Sequence, residues 1–328
     1  MSFEKLEYIE DITHETVAFT FFPSLEYLQL SDMSDLKGWW KRDVNCNVWP
    51  PSFIKLYELS VYRCGKLTSF PTCPRLEKLA LLGVNEQLVT SLGKEEGLIK
   101  LREVSINNPD YLKSFPTKSL TSLLISGNNE LESFSELDTI FKGCSSLKSL
   151  SIMNSDNLRS LNGGWWKHLT TLETLLLFNL LALRFSGRGR DTDNNDADDN
   201  DNDDDDEIPW RFLDRSLRSL EFDCLGIKIL PKGMRYLTSL QNLQLQRCRN
   251  LECLPEWISC LSSLRSLRIN SCRRFRLLPV HVRDLTSLQV LQVLRCPLVV
   301  VERFQDPDED DRLNLQHIST VDVVLHLY

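Results

Sequence analysis

An apolar pattern that recurs along most of the 328 residues constrains the fold of this chain more than any other feature. Each repeat opens with a leucine and carries apolar residues at offsets 3 and 5, counted in sequence from that leucine, and the clearest repeats add others at offsets 8, 11 and 14. The last four openings are separated by 23, 24 and 24 residues, whereas earlier separations vary and one reaches 45. Eleven leucines open such a repeat: Leu25, Leu56, Leu76, Leu101, Leu120, Leu147, Leu172, Leu217, Leu240, Leu264 and Leu288.

The spacing within a repeat describes a short strand with one buried face. Apolar residues at offsets 3 and 5 alternate with polar ones, which is the period of a half-buried strand. One repeat cannot cover its own leucines, so the repeats must stack with their strands parallel and in register. This arrangement is typical of leucine-rich repeats. It predicts an α/β solenoid of the horseshoe type, with short parallel β-strands on the concave face and loops and short helical turns on the convex face.

The same pattern predicts how the chain is divided. Residues 1–304 are expected to form the solenoid, with about eleven irregular repeats and a disordered acidic insertion near 186–208. Residues 305–328 are expected to form an acidic segment and a capping strand, because Ile318, Val321 and Val323 have strand spacing. Terminal repeats need such a cover for solubility.

The net charge of −8 comes from the predicted insertion. Residues 191–207 contain 11 acidic residues and no basic ones, so the rest of the chain has a net charge of +3, from 38 basic and 35 acidic residues. A calcium-binding loop would need a glycine at its sharp turn and a suitably spaced glutamate, and the run has neither arrangement. The composition therefore favours a solvated loop.

Ten cysteines raise the alternatives of disulfides, a metal or redox site, and buried structural thiols. Leucine-rich repeats often carry Asn or Cys at offset 8, pointing inward. In this chain that position is occupied by Cys64, Asn128, Cys248, Cys272 and Cys296. Zinc ligands are normally paired at close spacing, whereas these thiols occur once in a repeat. We therefore expect buried thiols, no metal or other cofactor, and a reducing, cytoplasmic location.

Other classes of function find little support in the residues. The five histidines lie outside any serine, cysteine or metal-ligand context, so the chain is not expected to be an enzyme. The apolar runs are too short for a membrane span, and the basic C-terminal repeats lack the interleaved aromatic residues that would favour nucleic acid as a partner. The pairs Trp39-Trp40 and Trp165-Trp166 have two interpretations, exposed anchors for a partner or packing on the convex side, and packing is favoured.

A partner would contact the residues that lie between the buried leucines on the concave face. The middle repeats present apolar side chains there, and the last repeats present arginines and glutamines. Aromatic residues, Met and Arg are the types enriched at the cores of interfaces. The predicted partner-binding residues are Tyr62, Arg63, Leu124, Met153, Leu176, Phe178, Gln244, Gln246, Arg247, Arg265, Arg268, Gln292 and Arg295.

Several segments carry a resemblance to one family of repeat proteins. They are residues 22–26 (FPSLE), 36–40 (LKGWW), 254–264 (LPEWISCLSSL), 296–298 (CPL) before an acidic segment, and 316–318 (QHI). In these segments the chain resembles the leucine-rich-repeat region of plant intracellular nucleotide-binding disease-resistance proteins of the coiled-coil type.

The resemblance implies the C-terminal sensor region of a plant immune receptor. Such a region would bind a pathogen effector or a guarded host protein, and it would restrain a nucleotide-binding domain by intramolecular contact. The loop Gly-x-x-x-x-Gly-Lys-Ser/Thr of that domain does not occur in this sequence, so the switch would lie outside this chain. Two alternatives stay open: a substrate-recognition subunit of a ubiquitin ligase, and a truncated, non-functional receptor fragment. The sequence upstream of Met1 would discriminate the immune receptor from the ubiquitin-ligase subunit, and expression and folding of the chain would test the truncated fragment.

Overall fold

The computed structural model describes residues 6–11, 22–41, 52–92, 98–135, 137–185, 208–276, 278–297 and 318–324. The chain forms two compact units, unit 1 (residues 1–126) and unit 2 (residues 127–328). The predicted acidic insertion lies outside the described residues except for Ile208, and most of the predicted segment 305–328 lies outside them too. The predicted boundary after residue 304 therefore stays a prediction.

Unit 1 contains two parallel sheets. Its strands are β1 (Tyr8–Asp11), β2 (Tyr27–Ser31), β3 (Gly38–Lys41), β4 (Glu58–Tyr62), β5 (Lys78–Leu82), β6 (Glu103–Ile106) and β7 (Ser122–Ser126). Strand β1 pairs with β3 in a small sheet, and β2, β4, β5, β6 and β7 pair in that order in the larger one. The return segments contain α1 (Glu86–Leu92) and the 3-10 helices Pro109–Ser114 and Thr117–Ser119.

Unit 2 is also built from short parallel strands. Its strands are β8 (Ser149–Met153), β9 (Thr174–Phe178), β10 (Ser219–Asp223), β11 (Asn242–Gln246), β12 (Ser266–Asn270), β13 (Val290–Leu294) and β14 (Thr320–Val324). Each pairs in parallel with the next. The return segments contain α2 (Asp138–Phe141) and the 3-10 helices Gly164–His168, Trp210–Leu213, Lys232–Tyr236, Glu256–Cys260 and Val280–Asp284.

The strands confirm the repeat spacing. Every predicted opening leucine is followed by a strand that covers offsets 2 to 6, although β6 ends at offset 5. Neighbouring strands pair residues of equal offset, as Leu243 does with Leu220 and Leu267. The opening leucine and the residues at offsets 3 and 5 are buried in all repeats except the first, where Leu25 and Leu28 are half-buried. The buried side chains at these offsets form apolar contacts between neighbouring repeats.

A left-handed turn ends most of the strands at offset 7. Arg63, Asn154 and Arg247 have positive φ values of 51°, 52° and 49°, and Gly83 and Gly127 occupy the same offset in other repeats. The N–H group of this residue donates to the carbonyl at offset 6 of the next repeat, as Arg247 N does to Asn270 O at 2.8 Å. The turn therefore extends the hydrogen-bond ladder by one residue beyond the strand.

The predicted burial of the residues at offset 8 is confirmed. Asn128 is 9% exposed, and its Oδ1 accepts hydrogen bonds from the backbone N–H groups of Glu130 and Leu131 at 2.9 and 3.0 Å. We call Cys248, Cys272 and Cys296 the thiol column, and all three are free and buried. Hydrogen bonding to the two neighbouring thiols, together with burial, raises the pKa of Cys272.

The return segments contain the tryptophan pairs. Trp165 and Trp166 are fully buried at ring-centroid separation of 4.0 Å, and Trp39 is 2% exposed. Trp166 Nε1 also donates a hydrogen bond to Leu161 O at 2.7 Å. These three residues therefore pack in the core, as favoured above, and the side chain of Trp40 lies outside the described residues.

Candidate functional site

The face of each large sheet opposite the core, here called the outer face, carries the residues at offsets 4 and 6. Parallel pairing in register places equal offsets side by side, so these residues form two rows that cross the strands. In unit 2, the offset-4 row is Ser151, Leu176, Glu221, Gln244, Arg268, Gln292 and Asp322. The offset-6 row is Met153, Phe178, Asp223, Gln246, Asn270 and Leu294. The chemistry of the outer face therefore changes from strand to strand.

The outer face of unit 2 begins with an apolar region on β8 and β9. Met153, Leu176 and Phe178 are each half-buried. Their remaining exposed area lies on the face predicted to bind a partner. Leu124, which the sequence grouped with them, is half-buried on β7 of unit 1.

A salt bridge borders this apolar region. Asp223 is only 4% exposed, and its carboxylate accepts hydrogen bonds from Arg247 Nε at 2.8 Å and from Arg247 Nη2. The guanidinium carbon of Arg247 also lies 5.6 Å from the ring centroid of Phe178. These hydrogen bonds raise the pKa of Arg247. The predicted basic residue Arg247 is thus held between a carboxylate and an aromatic ring.

Glu221 is the second carboxylate on β10. Its Oε1 accepts hydrogen bonds from Gln244 Nε2 at 3.1 Å and from Gln246 Nε2 at 3.2 Å. Burial, followed by the charge of Asp223, raises the pKa of Glu221, while the charge of Arg247 acts in the opposite direction. Glu221 is therefore a half-buried carboxylate whose described direct donors are neutral amides.

The basic side chains further along unit 2 are also interleaved with acceptors. Arg268 Nε donates to Gln292 Oε1 at 2.8 Å, and Gln292 Nε2 donates to Asp322 Oδ2 at 3.1 Å. Arg265 is exposed at offset 1, where its carbonyl accepts the backbone N–H groups of the next repeat. Arg295 is exposed at a left-handed turn with φ of 53°. The structure brings Gln244, Gln246, Arg268 and Gln292 onto one sheet face. Arg247 and Arg295 follow the ends of their strands, and Arg265 precedes the start of its strand.

Unit 1 holds the other predicted partner-binding residues. Tyr62 is half-buried at the end of β4, and Arg63 follows it at the left-handed turn. Arg63 Nη2 donates to Asp32 Oδ2 at 2.8 Å, and this hydrogen bonding lowers the pKa of Asp32. Both side chains are exposed, so the pair contributes little to stability.

The sequence prediction did not include the two carboxylates of β10 among the partner-binding residues. Glu221 and Asp223 have the same offsets as Leu176 and Phe178, so the repeat register places them on the outer face. Pairing of opposite charges on neighbouring strands is the signal that could have identified Asp223. The repeat pattern alone could not show that Asp223 is buried, because burial depends on how Arg247 folds back over it.

The described residues contain no group of three or more His, Cys, Asp and Glu side chains arranged to hold a metal ion. None of the helices in the described part of the chain combines the length and apolar character needed to span a bilayer.

The fold described above is that of a leucine-rich-repeat protein, with short parallel strands stacked in register and 3-10 helices in the return segments. A solved leucine-rich-repeat protein from Leptospira interrogans has the same fold, with a TM-score of 0.52 and 19% sequence identity. The match covers 84% of this chain and 63% of the Leptospira protein, so this chain spans less than two thirds of that protein.

Two further solved structures have lower TM-scores. An internalin from Listeria monocytogenes is 14% identical with a TM-score of 0.41, over 83% of this chain and 82% of that one. The Toll chain of the Drosophila Toll–Spatzle complex is 17% identical with a TM-score of 0.48, over 74% of this chain and 33% of that one. The sequence matches no protein-family model and no curated protein.

Proposed function

We propose that this chain is a protein-recognition module and that its partner binds the outer face of unit 2 over β8 to β11. The observation that supports this proposal is the juxtaposition of half-buried Leu176 and Phe178 with the charged residues Glu221, Asp223 and Arg247 on one sheet face. Interfaces between proteins combine an apolar centre with a polar rim in this way, and they are enriched in aromatic residues and arginine.

The proposed partner is a protein because the residues form rows across strands. Neighbouring strands lie about 4.8 Å apart, so the rows from β8 to β11 extend for about 15 Å. A surface of that length matches a strand, a helix or a loop of another protein. Aromatic and arginine side chains commonly dominate the binding energy of such a surface, and Phe178 and Arg247 lie in contact on this one.

At a finer level, we propose that the module is the sensor region of a plant intracellular immune receptor. The partner would be a pathogen effector or a guarded host protein, and a nucleotide-binding domain outside this chain would contact the same array. The segments LKGWW (36–40) and CPL (296–298) support this assignment by resemblance. The free thiols of the thiol column are consistent with the proposed cytoplasmic location.

Site-specific photocrosslinking tests the proposed surface. Benzoylphenylalanine is placed at position 178, or at the control position Phe212, which is 51% exposed on the 3-10 helix Trp210–Leu213 of a return segment. The chain is expressed in plant cells, irradiated and analysed by mass spectrometry. We expect one dominant crosslinked protein from position 178 and not from position 212. Equal crosslinking of the same proteins from both positions would show that the outer face is not the binding surface.

A further inference from the structure

The neighbours of Glu221 on the outer face are a carboxylate, two apolar side chains and two amides. On its own strand, Asp223 lies two residues away and is already paired with Arg247. On β9, the neighbouring outer-face residues are the uncharged Leu176 and Phe178. On β11, they are Gln244 and Gln246, which donate amide hydrogen bonds to Glu221.

The next cation along the same row is also engaged. Arg268 on β12 donates to Gln292 rather than to the strand that carries Glu221. Amide hydrogen bonds satisfy acceptor sites on a carboxylate but leave its charge uncompensated. The described direct donors to Glu221 are therefore neutral amides, and the cation that acts on its charge, Arg247, is already bound to Asp223.

We infer that the outer face of unit 2 selects a partner segment in which a lysine or arginine lies within two positions of a large apolar residue. The cation binds Glu221, and the apolar side chain covers Leu176 and Met153. This inference rests on the proposed function, because it names the chemistry of the partner at the same surface.

The register of the sheet sets this spacing. Leu176 and Glu221 are direct neighbours on adjacent strands, which places them about 4.8 Å apart along the row. Residues one or two positions apart in an extended segment are separated by about 3.3 to 6.8 Å, so a single segment reaches both. An acidic residue at the same place would be repelled by the half-buried carboxylate of Glu221, whereas Asp223 is already paired with Arg247.

Electrostatics supports the choice of a cation. Burial and the charge of Asp223 raise the pKa of Glu221, although the charge of Arg247 opposes this, so ionisation is less favourable than in an exposed glutamate. A bound ammonium or guanidinium group would compensate that charge. The cation–π contact between Arg247 and Phe178 gives the apolar region a polar border on the same side.

A displayed peptide library tests this chemistry without an identified partner. The full chain is immobilised under reducing conditions and used to select from phage-displayed random heptapeptides. Selected peptides are synthesised, and their affinities for the wild type, Glu221→Gln, Glu256→Gln and Phe178→Ser are measured by fluorescence anisotropy. Glu256 is the matched control, since it is exposed on the 3-10 helix Glu256–Cys260.

We expect the selected peptides to contain a basic residue within two positions of Leu, Ile, Met or Phe. Glu221→Gln should weaken their binding about tenfold, between the effects of exposed and buried charge pairs, and Glu256→Gln should leave it unchanged. Replacing the basic residue with citrulline or norleucine should weaken binding to the wild type by the same factor. For the Glu221→Gln variant, the same replacement in the peptide should cause no further loss of affinity, because the pair is already broken.

Four results would overturn the inference. Peptides that depend on Phe178 but contain no basic residue, or that bind Glu221→Gln as tightly as the wild type, contradict the cation and leave the proposed function intact. Selection of acidic peptides whose binding is lost in Arg268→Met would assign an acidic partner instead. Failure to obtain any peptide that depends on Phe178 would count against the proposed surface as well.

Discussion

The salt bridge between Asp223 and Arg247 should respond unequally to the loss of its two partners. The side chain of Asp223 is 6% exposed, whereas that of Arg247 is 52% exposed. Arg247→Met keeps the aliphatic stem near Phe178 and leaves a buried carboxylate without its cation. Asp223→Asn keeps the shape of the buried side chain and leaves an arginine that water can solvate.

The burial of the two groups sets the expected magnitudes. Removing one partner of a buried pair typically lowers the free energy of unfolding by about 3 kcal/mol, and this applies to Arg247→Met. Asp223→Asn loses the charge but retains one acceptor, so it should cost about 1 kcal/mol. The double variant removes the buried charge together with its partner. It should therefore be more stable than Arg247→Met alone.

Urea unfolding followed by tryptophan fluorescence measures these differences, because Trp165, Trp166 and Trp210 are buried in the same unit. The m-values of the four proteins must agree for the free energies to be compared in a double-mutant cycle. If Asp223→Asn destabilises the chain as much as Arg247→Met does, burial of the carboxylate does not determine the response. A double variant less stable than both single variants would refute the reasoning in the same way.

Three further predictions concern other parts of the chain. In the native state the thiol column should react slowly with iodoacetamide while the exposed thiol of Cys260 reacts fast; mass spectrometry of the labelled peptides would contradict this if all four reacted alike. Gly163→Ala should lower the free energy of unfolding by about 2 kcal/mol, because φ is +143° and the added Cβ would lie 2.6 Å from an indole carbon. In contrast, Gly65→Ala meets no atom within 4 Å and should be near neutral in the same urea titration. Glu221→Gln should raise the melting temperature at neutral pH, because burial and Asp223 raise the pKa of Glu221. The wild type loses stability as pH rises from the ordinary Glu pKa through the raised one, so the difference should vanish in acid. A pH-independent difference would contradict this origin.

The sequence predicted the strands well because the buried columns have a fixed period. Once Leu240, Leu264 and Leu288 are aligned, offsets 3 and 5 can only face the core, and parallel pairing in register follows. The return segments were less predictable, since their lengths vary. Several of their 3-10 helices begin directly after a proline, as at Pro231 and Pro255.

The candidate site was predictable in position but only partly in chemistry. The offsets placed Leu176, Gln244 and Arg268 on the outer face, and the structure has them there. The sequence predicted arginines and glutamines on the last repeats, but it did not predict that the charge of Arg247 is compensated by Asp223. Side-chain direction across strands determines such pairing, and a one-dimensional repeat pattern does not contain it.

The left-handed turns explain how the repeat builds this charge pattern. Three of the predicted partner-binding arginines, Arg63, Arg247 and Arg295, stand at offset 7 with positive φ. This conformation costs a residue with a Cβ about 1 to 2 kcal/mol, and glycine at Gly83 avoids the cost. Since the backbone at this offset accommodates glycine, the arginine side chains are not required by the turn. Arg63 and Arg247 instead bind carboxylates of the preceding repeat, Asp32 and Asp223 respectively. An arginine at offset 7 thus has two roles: its N–H group extends the hydrogen-bond ladder, and its guanidinium group contributes to the charge of the outer face. Because these two roles use different atoms, the surface can differ between repeats without a change in the fold.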